Sequence, residues 1–209
     1  MARLPDLQIF AAEHGLQILT IADLIRYRLQ TEKLVRRRND FTLRLDATGT
    51  DWQAIVYETS VGAGPFVALV KGSPQDHPST SCRVHSGALL SDVFGSETLD
   101  GRRNLRLALE HIERQGHGVV VYLPPKTDLP GELVELSRPR SQGSSPAASS
   151  AEEALALPGP PLREFGLGAQ ILRDLGLHRI HLLSNHPRRI AGIEAYGLEV
   201  LDRVPLEQL

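Results

Sequence analysis

Apolar and polar positions along this chain alternate in some stretches and cycle every three to four residues in others, a pattern that predicts interleaved strands and helices. Pro5 to His14 reads as a helix closed by Gly15, Ile18 to Ile21 as a short strand, and Asp23 opens a helix that runs through Leu29. The basic run Arg36-Arg37-Arg38 reads as a junction. Phe41 to Leu45 and Trp52 to Tyr57 alternate and are joined through the turn-forming Asp46-Ala47-Thr48-Gly49, which predicts a hairpin. Phe66 to Val70 and Cys82 to His85 make two more strands, separated by a polar loop with Pro74, Asp76, His77 and Pro78. Arg103 to Gln115 carries Leu105, Leu107, Leu109 and Ile112 at helical spacing, and Gly116 and Gly118 stop it before the buried strand Val119 to Tyr122. Order resumes with a helix from Arg163 through Leu175, a strand at Ile180 to Leu183, a helix entered near Pro187 and a strand at Leu198 to Leu201. The rhythm predicts an α/β fold, a mixed β-sheet with flanking helices.

Between them, Ser137 to Pro161 is rich in Ser, Ala, Pro and Gly. Such a stretch buries too little apolar surface to offset its ordering entropy, so a mobile loop is expected at 137–161. The bulk numbers then narrow the function. A chain of 209 residues with 41% hydrophobic and 23% charged content is long enough for a substantial core. A net charge of -2 gives no field to collect polyanions or anionic lipid, so neither nucleic acid nor membrane is an expected partner. No apolar run approaches the roughly 20 residues needed to cross a bilayer, and a cytoplasmic location is expected. The one cysteine, Cys82, excludes a multi-thiolate metal site within one chain.

Two stretches carry a resemblance. Arg83-Val84-His85-Ser86, followed by Asp92-Val93-Phe94-Gly95-Ser96, is similar without a gap to the zinc segment of GTP cyclohydrolase II, and Arg163 to Leu172, Leu183 to Pro187, Tyr196 to Leu198 and Arg203 to Leu206 match its later motifs. With Ala68 to Gly72, the likeness spans most of residues 40 to 206. Residues 1 to about 37, as in Met1 to Leu7 and Thr20 to Ile25, resemble instead the tail of 3,4-dihydroxy-2-butanone 4-phosphate synthase, which many bacteria fuse ahead of the cyclohydrolase for riboflavin synthesis. The expected organisation is a synthase-like tail plus junction at 1–38 and a GTP cyclohydrolase II-like domain at 39–209. Met1 then reads as an internal methionine of such a fusion.

The resemblance also implies where the chemistry is lost. The family opens its purine ring with a zinc-activated water, and the metal is held by three cysteines. The matching positions here are Ala88, Leu99 and Gly101, whose side chains carry no lone pair, so no zinc and no other cofactor is expected. A substitute site from Cys82 and His85 fails because residues three apart on a strand point to opposite faces. The remaining histidines, His181 among them, are scattered singly and read as surface or core. Where the family has its guanine-binding segment this chain has Pro124 to Gly131, and the base of the family's D-x-R is replaced in Pro161-Leu162-Arg163.

The retained Arg83, Val84, His85 and Ser86, with Asn104, Ser184 and Arg189 in place of the family's glutamine, threonine and lysine, are expected to form a vestigial phosphate or nucleotide site. Two readings stand for the first four, an anion-holding corner or strand geometry without a ligand. Arg163, at the family's catalytic position, is either a phosphate contact or a plain helix-start residue. The leading expectation is a non-catalytic domain that supports, regulates or dimerises the fused synthase. The alternatives are a nucleotide-phosphate sensor and a metal-independent hydrolase in which Asp92, Asp100 or Glu164 stands in as base. The expected partners are that synthase domain, a second copy in a homodimer, and a nucleotide.

Overall fold

The computed structural model describes residues 3–20, 23–24, 27–28, 31–61, 65–95, 100–124, 160–185, 193 and 196–209, with the backbone alone at 160–165. Seven strands form one sheet: β1 Val35–Leu45, β2 Thr50–Thr59, β3 Phe66–Lys71, β4 Thr80–Ser86, β5 Gly118–Leu123, β6 Arg179–Leu183 and β7 Glu199–Val204. Their order is β1-β2-β3-β5-β4-β6-β7. The β1, β2, β3 and β5 neighbours run antiparallel, whereas β5, β4, β6 and β7 run parallel, as crossover helices require. Among the described residues, the helices that accompany the sheet include α1 Leu4–His14, α2 Gly101–Gln115 and α3 Pro160–Asp174.

The period of two along the strands sorts side chains onto two cores. Val119, Val121 and Leu123 of β5 join Cys82 and Val84 of β4 and Ile180 and Leu182 of β6 against Leu167, Ala169, Ile171 and Leu172 of α3. Val120 faces the other way, with Trp52 and Leu183, against Ala108, Leu109 and Ile112 of α2. Helices thus cover both faces of the sheet. Gly116 ends α2 in the left-handed conformation, φ 76°, which lets its amide cap the Ile112 and Glu113 carbonyls. Gly118 begins β5 where a side chain would meet Ile112 and the Ser81 carbonyl, so the close approach of α2 to the sheet requires glycine there.

Three expectations change. Arg36-Arg37-Arg38 is no junction but part of β1, where Arg38 is the extra residue of a bulge and pairs with Glu58 at 2.6 Å. The strand expected at Ile18 to Ile21 is absent over the described residues 18–20, which are irregular and have no partner strand among the described residues. The last helix starts at Pro160, so Pro160 and Pro161 belong to its first turn rather than to the preceding loop. The rest of that loop, through residue 159, and the helix expected near Pro187 lie outside the described residues.

Candidate functional site

The site grows from the carboxyl end of β4. Alternation puts Arg83 and His85 on one face of the strand and Cys82 and Val84 on the other, where both are buried against α3. Cys82 and His85 accordingly do not converge, and burial pushes the Cys82 thiol up to about 12. Ser86 is exposed at the strand end. The chain then turns through Gly87, whose amide donates to the Leu123 carbonyl at 2.7 Å, into a single wide helical turn at Leu89–Val93. That turn brings Asp92 back under His85.

Asp92 organises the corner. Its Oδ2 accepts from His85 Nε2 at 3.0 Å, from the Ala88 amide at 3.1 Å and from the Tyr122 hydroxyl at 2.9 Å. His85 and Asp92 side chains are only 3% and 5% exposed. On the other side of the imidazole, Arg83 reaches Nδ1 through Nε at 3.3 Å and Nη2 at 3.1 Å. A guanidinium has donors only, so Nδ1 accepts and the ring proton sits on Nε2, facing the carboxylate. Burial pushes the Asp92 carboxyl up, but the donors from His85, Ala88 and Tyr122 outweigh it and hold it below its ordinary value. Asp92, one of the three expected substitute bases with Asp100 and Glu164, is therefore occupied by three donors.

Two of the family's side-chain positions have no room for a side chain here. A Cβ built on Gly101 collides with the Ser91 hydroxyl and with Asp92 Oδ1. At Gly87, where the family pattern has glutamate, a Cβ would stand 2.6 Å from the Tyr122 hydroxyl oxygen and 2.7 Å from the Leu123 carbonyl oxygen. Ala88 offers no donor atom in its side chain, and Leu99 lies outside the described residues. Among the described residues no three His, Cys, Asp or Glu side chains are disposed to hold a metal ion. The donor set and the packing together do not fit zinc.

The other expected site positions are partly gathered. Arg83 Nη1 donates to the Leu183 carbonyl at 3.1 Å, which places Ser184 one residue beyond that contact at the end of β6. Asn104 sits on the first turn of α2, three residues after Gly101, and its backbone amide donates to the Asp100 carbonyl at 2.8 Å. Val84 points away from this group. Arg189 and the Arg163 side chain lie outside the described residues. Sequence reading missed Tyr122 as a partner of the corner. It lies far along the chain from His85, and only the parallel register His85↔Tyr122 brings them side by side.

Comparison with known proteins places this geometry in a family. The sequence pattern of GTP cyclohydrolase II matches residues 36–205. The riboflavin biosynthesis protein RibBA of Bacillus cereus (strain B4264) is 43% identical over 207 residues, covering 99% of this chain and 51% of that protein. RibBA of Bacillus mycoides (strain KBAB4) gives the same identity and coverage. The crystal structure of RibBX, a two domain 3,4-dihydroxy-2-butanone 4-phosphate synthase from A. baumannii, superposes with a TM-score of 0.59 at 30% identity, over 98% of this chain and 50% of that one. The chain thus spans about half the length of the relatives it matches. With the family's sequence pattern running from the first residues of β1 to the end of β7, this chain belongs to the GTP cyclohydrolase II family.

Proposed function

We propose that this chain is a non-catalytic member of its family, a folded domain that supports, regulates or dimerises a 3,4-dihydroxy-2-butanone 4-phosphate synthase fused to it in riboflavin synthesis. The observation that carries the reading is the closed corner around Asp92. The ligand positions have no donors at Ala88, Leu99 and Gly101, and Ser91 and Asp92 occupy the space where a third cysteine would project. A water activated at neutral pH needs an ion held in an open coordination shell, and this corner supplies neither ligands nor room.

The amino-terminal segment supports the partner half of the proposal. Ala11 is the one buried residue of α1, while Leu4, Leu7, Ile9 and Phe10 are exposed, as are Leu16, Ile18, Leu19, Leu24 and Tyr27 beyond it. An apolar segment of this extent is stable in water only when covered, and a synthase domain in the same polypeptide is the cover that the RibBA and RibBX likeness suits.

The test measures synthase activity and thermal stability of the fusion with and without residues 40–209. A loss of either supports the proposal; unchanged activity and stability removes it. Titration calorimetry of GTP into this chain separates the sensor reading, since Arg83 is already engaged with His85 and the Leu183 carbonyl and no heat is expected.

A further inference from the structure

At the opposite end of β4 the fold assembles a second constellation. His181, on β6, places Nε2 3.0 Å from the Ser79 hydroxyl oxygen and Nδ1 2.6 Å from Asp202 Oδ1. A carboxylate only accepts, so Nδ1 carries the ring proton; in the neutral ring Nε2 is then the acceptor, and the Ser79 hydroxyl donates to it. These are the two hydrogen bonds, in the same order and on the same ring nitrogens, by which a serine is activated as a nucleophile in hydrolases of unrelated folds. From this geometry we infer that Ser79, His181 and Asp202 form a nucleophilic triad that cleaves small uncharged carboxylic esters.

Three features of the backbone hold the triad. Ser79 directly precedes β4, and the loop before it is tied down by the Thr80 hydroxyl, which donates to the Pro74 carbonyl at 2.8 Å. His181 sits in the middle of β6, opposite Ser81 in the β4 register. Asp202 faces His181 because the β6–β7 register slips between Ile180 and His181: Ile180 pairs with Val200 and His181 with Asp202, leaving Leu201 as an extra residue in β7. A regular ladder would set Leu201 opposite His181. Bulges between parallel strands are rare, and this one re-aims the carboxylate onto the imidazole.

Access and substrate class follow from the neighbourhood. His181 and Asp202 side chains are 32% and 56% exposed, so a reactant reaches them from solvent. Beside the triad, though lined by none of its three residues, is an open groove of about 560 Å³ formed by His178, Arg179, Gly197, Leu198 and Glu199, with Arg179 two residues from His181 on β6. Arg179 and Glu199 neutralise each other across it at 3.1 Å, which favours an uncharged substrate. In the reaction the Ser79 oxygen bonds to the ester carbonyl carbon as its proton passes to His181. The alkoxide leaves with that proton, and water repeats the cycle on the acyl-serine to release the acid.

The site lies about 20 Å from the Asp92 corner by strand rise alone, so it stands or falls independently of the proposed function. The test treats this protein with a fluorophosphonate, whose phosphorus bonds to an activated serine with loss of fluoride. One adduct per chain on Ser79 is expected, absent in Ser79→Ala and slowed about tenfold or more in Asp202→Asn, together with an acyl burst on p-nitrophenyl acetate. Asp202 is exposed, so its variant reports on chemistry rather than folding. No adduct on Ser79, an adduct formed no faster than in heat-unfolded protein, or an equal rate in Asp202→Asn overturns the inference.

Discussion

Asp92 carries one carboxylate oxygen shared by three donors and a second, Oδ1, that is buried without a partner among the described residues. Its folded carboxyl is held below the ordinary value of 3.8, so it contributes stability that is fully present above that value and is lost as the pH falls through the lower folded value. In acid titration followed by circular dichroism, Asp92→Asn is expected to flatten the unfolding curve below pH 3.8 and to lower stability at neutral pH by about 1–3 kcal/mol. Gly101→Ala is expected to cost about 1–3 kcal/mol in urea unfolding, because the Ser91 hydroxyl and Asp92 Oδ1 must give way to its methyl group. Much of this corner was legible in the sequence. Arg83 and His85 are two apart on a strand, so their shared face follows from the period alone. What the period does not give is Asp92, which returns to His85 only through the wide turn at Leu89–Val93, or Tyr122, which arrives by parallel pairing.

Among the elements, α2 is joined to the start of β2 and the end of β3 by a small polar cluster. Glu113 Oε2 accepts from Trp52 Nε1 at 3.0 Å and from the Thr50 hydroxyl at 2.7 Å, and it pairs with Lys71 Nζ at 2.8 Å. Removing the acceptor leaves the buried Trp52 indole N–H with the more distant Thr48 hydroxyl at 3.2 Å, so Glu113→Ala is expected to lower stability by about 1–3 kcal/mol while Glu110→Ala, on an exposed pair, changes it little. Paired urea titrations of the two variants check this. The central strands and both covering helices could be read from the chain because their apolar periods are long and carry glycine stops. At residues 18–20 the outcome differs from the expectation: Ile18 has strand propensity, but strand structure depends on a neighbour to pair with, and none among the described residues reaches them. Arg36 to Arg38 misled it in the other direction, since β1 sits at the sheet edge with nearly every residue exposed and so shows no apolar alternation there.

Across the whole molecule, the sheet is packed with helices on both faces, and the three positions that the resemblance assigns to zinc ligands carry Ala88, Leu99 and Gly101. Cys82 reports on that packing: with its thiol fully buried and its ionisation pushed up to about 12, it is expected to resist thiol reagents at neutral pH until the sheet unfolds. Reaction of Cys82 with a disulfide reagent should therefore track global unfolding in denaturant, and prompt labelling of native protein would show that β4 opens on its own. No helix among the described residues is long and apolar enough to cross a membrane. The central claim is that the corner around Asp92 is a closed hydrogen-bonded joint rather than a metal centre. It is tested most directly by metal analysis of the purified protein alongside formate release from added GTP. The account predicts no stoichiometric zinc and no formate; one zinc per chain accompanied by steady formate release would contradict it.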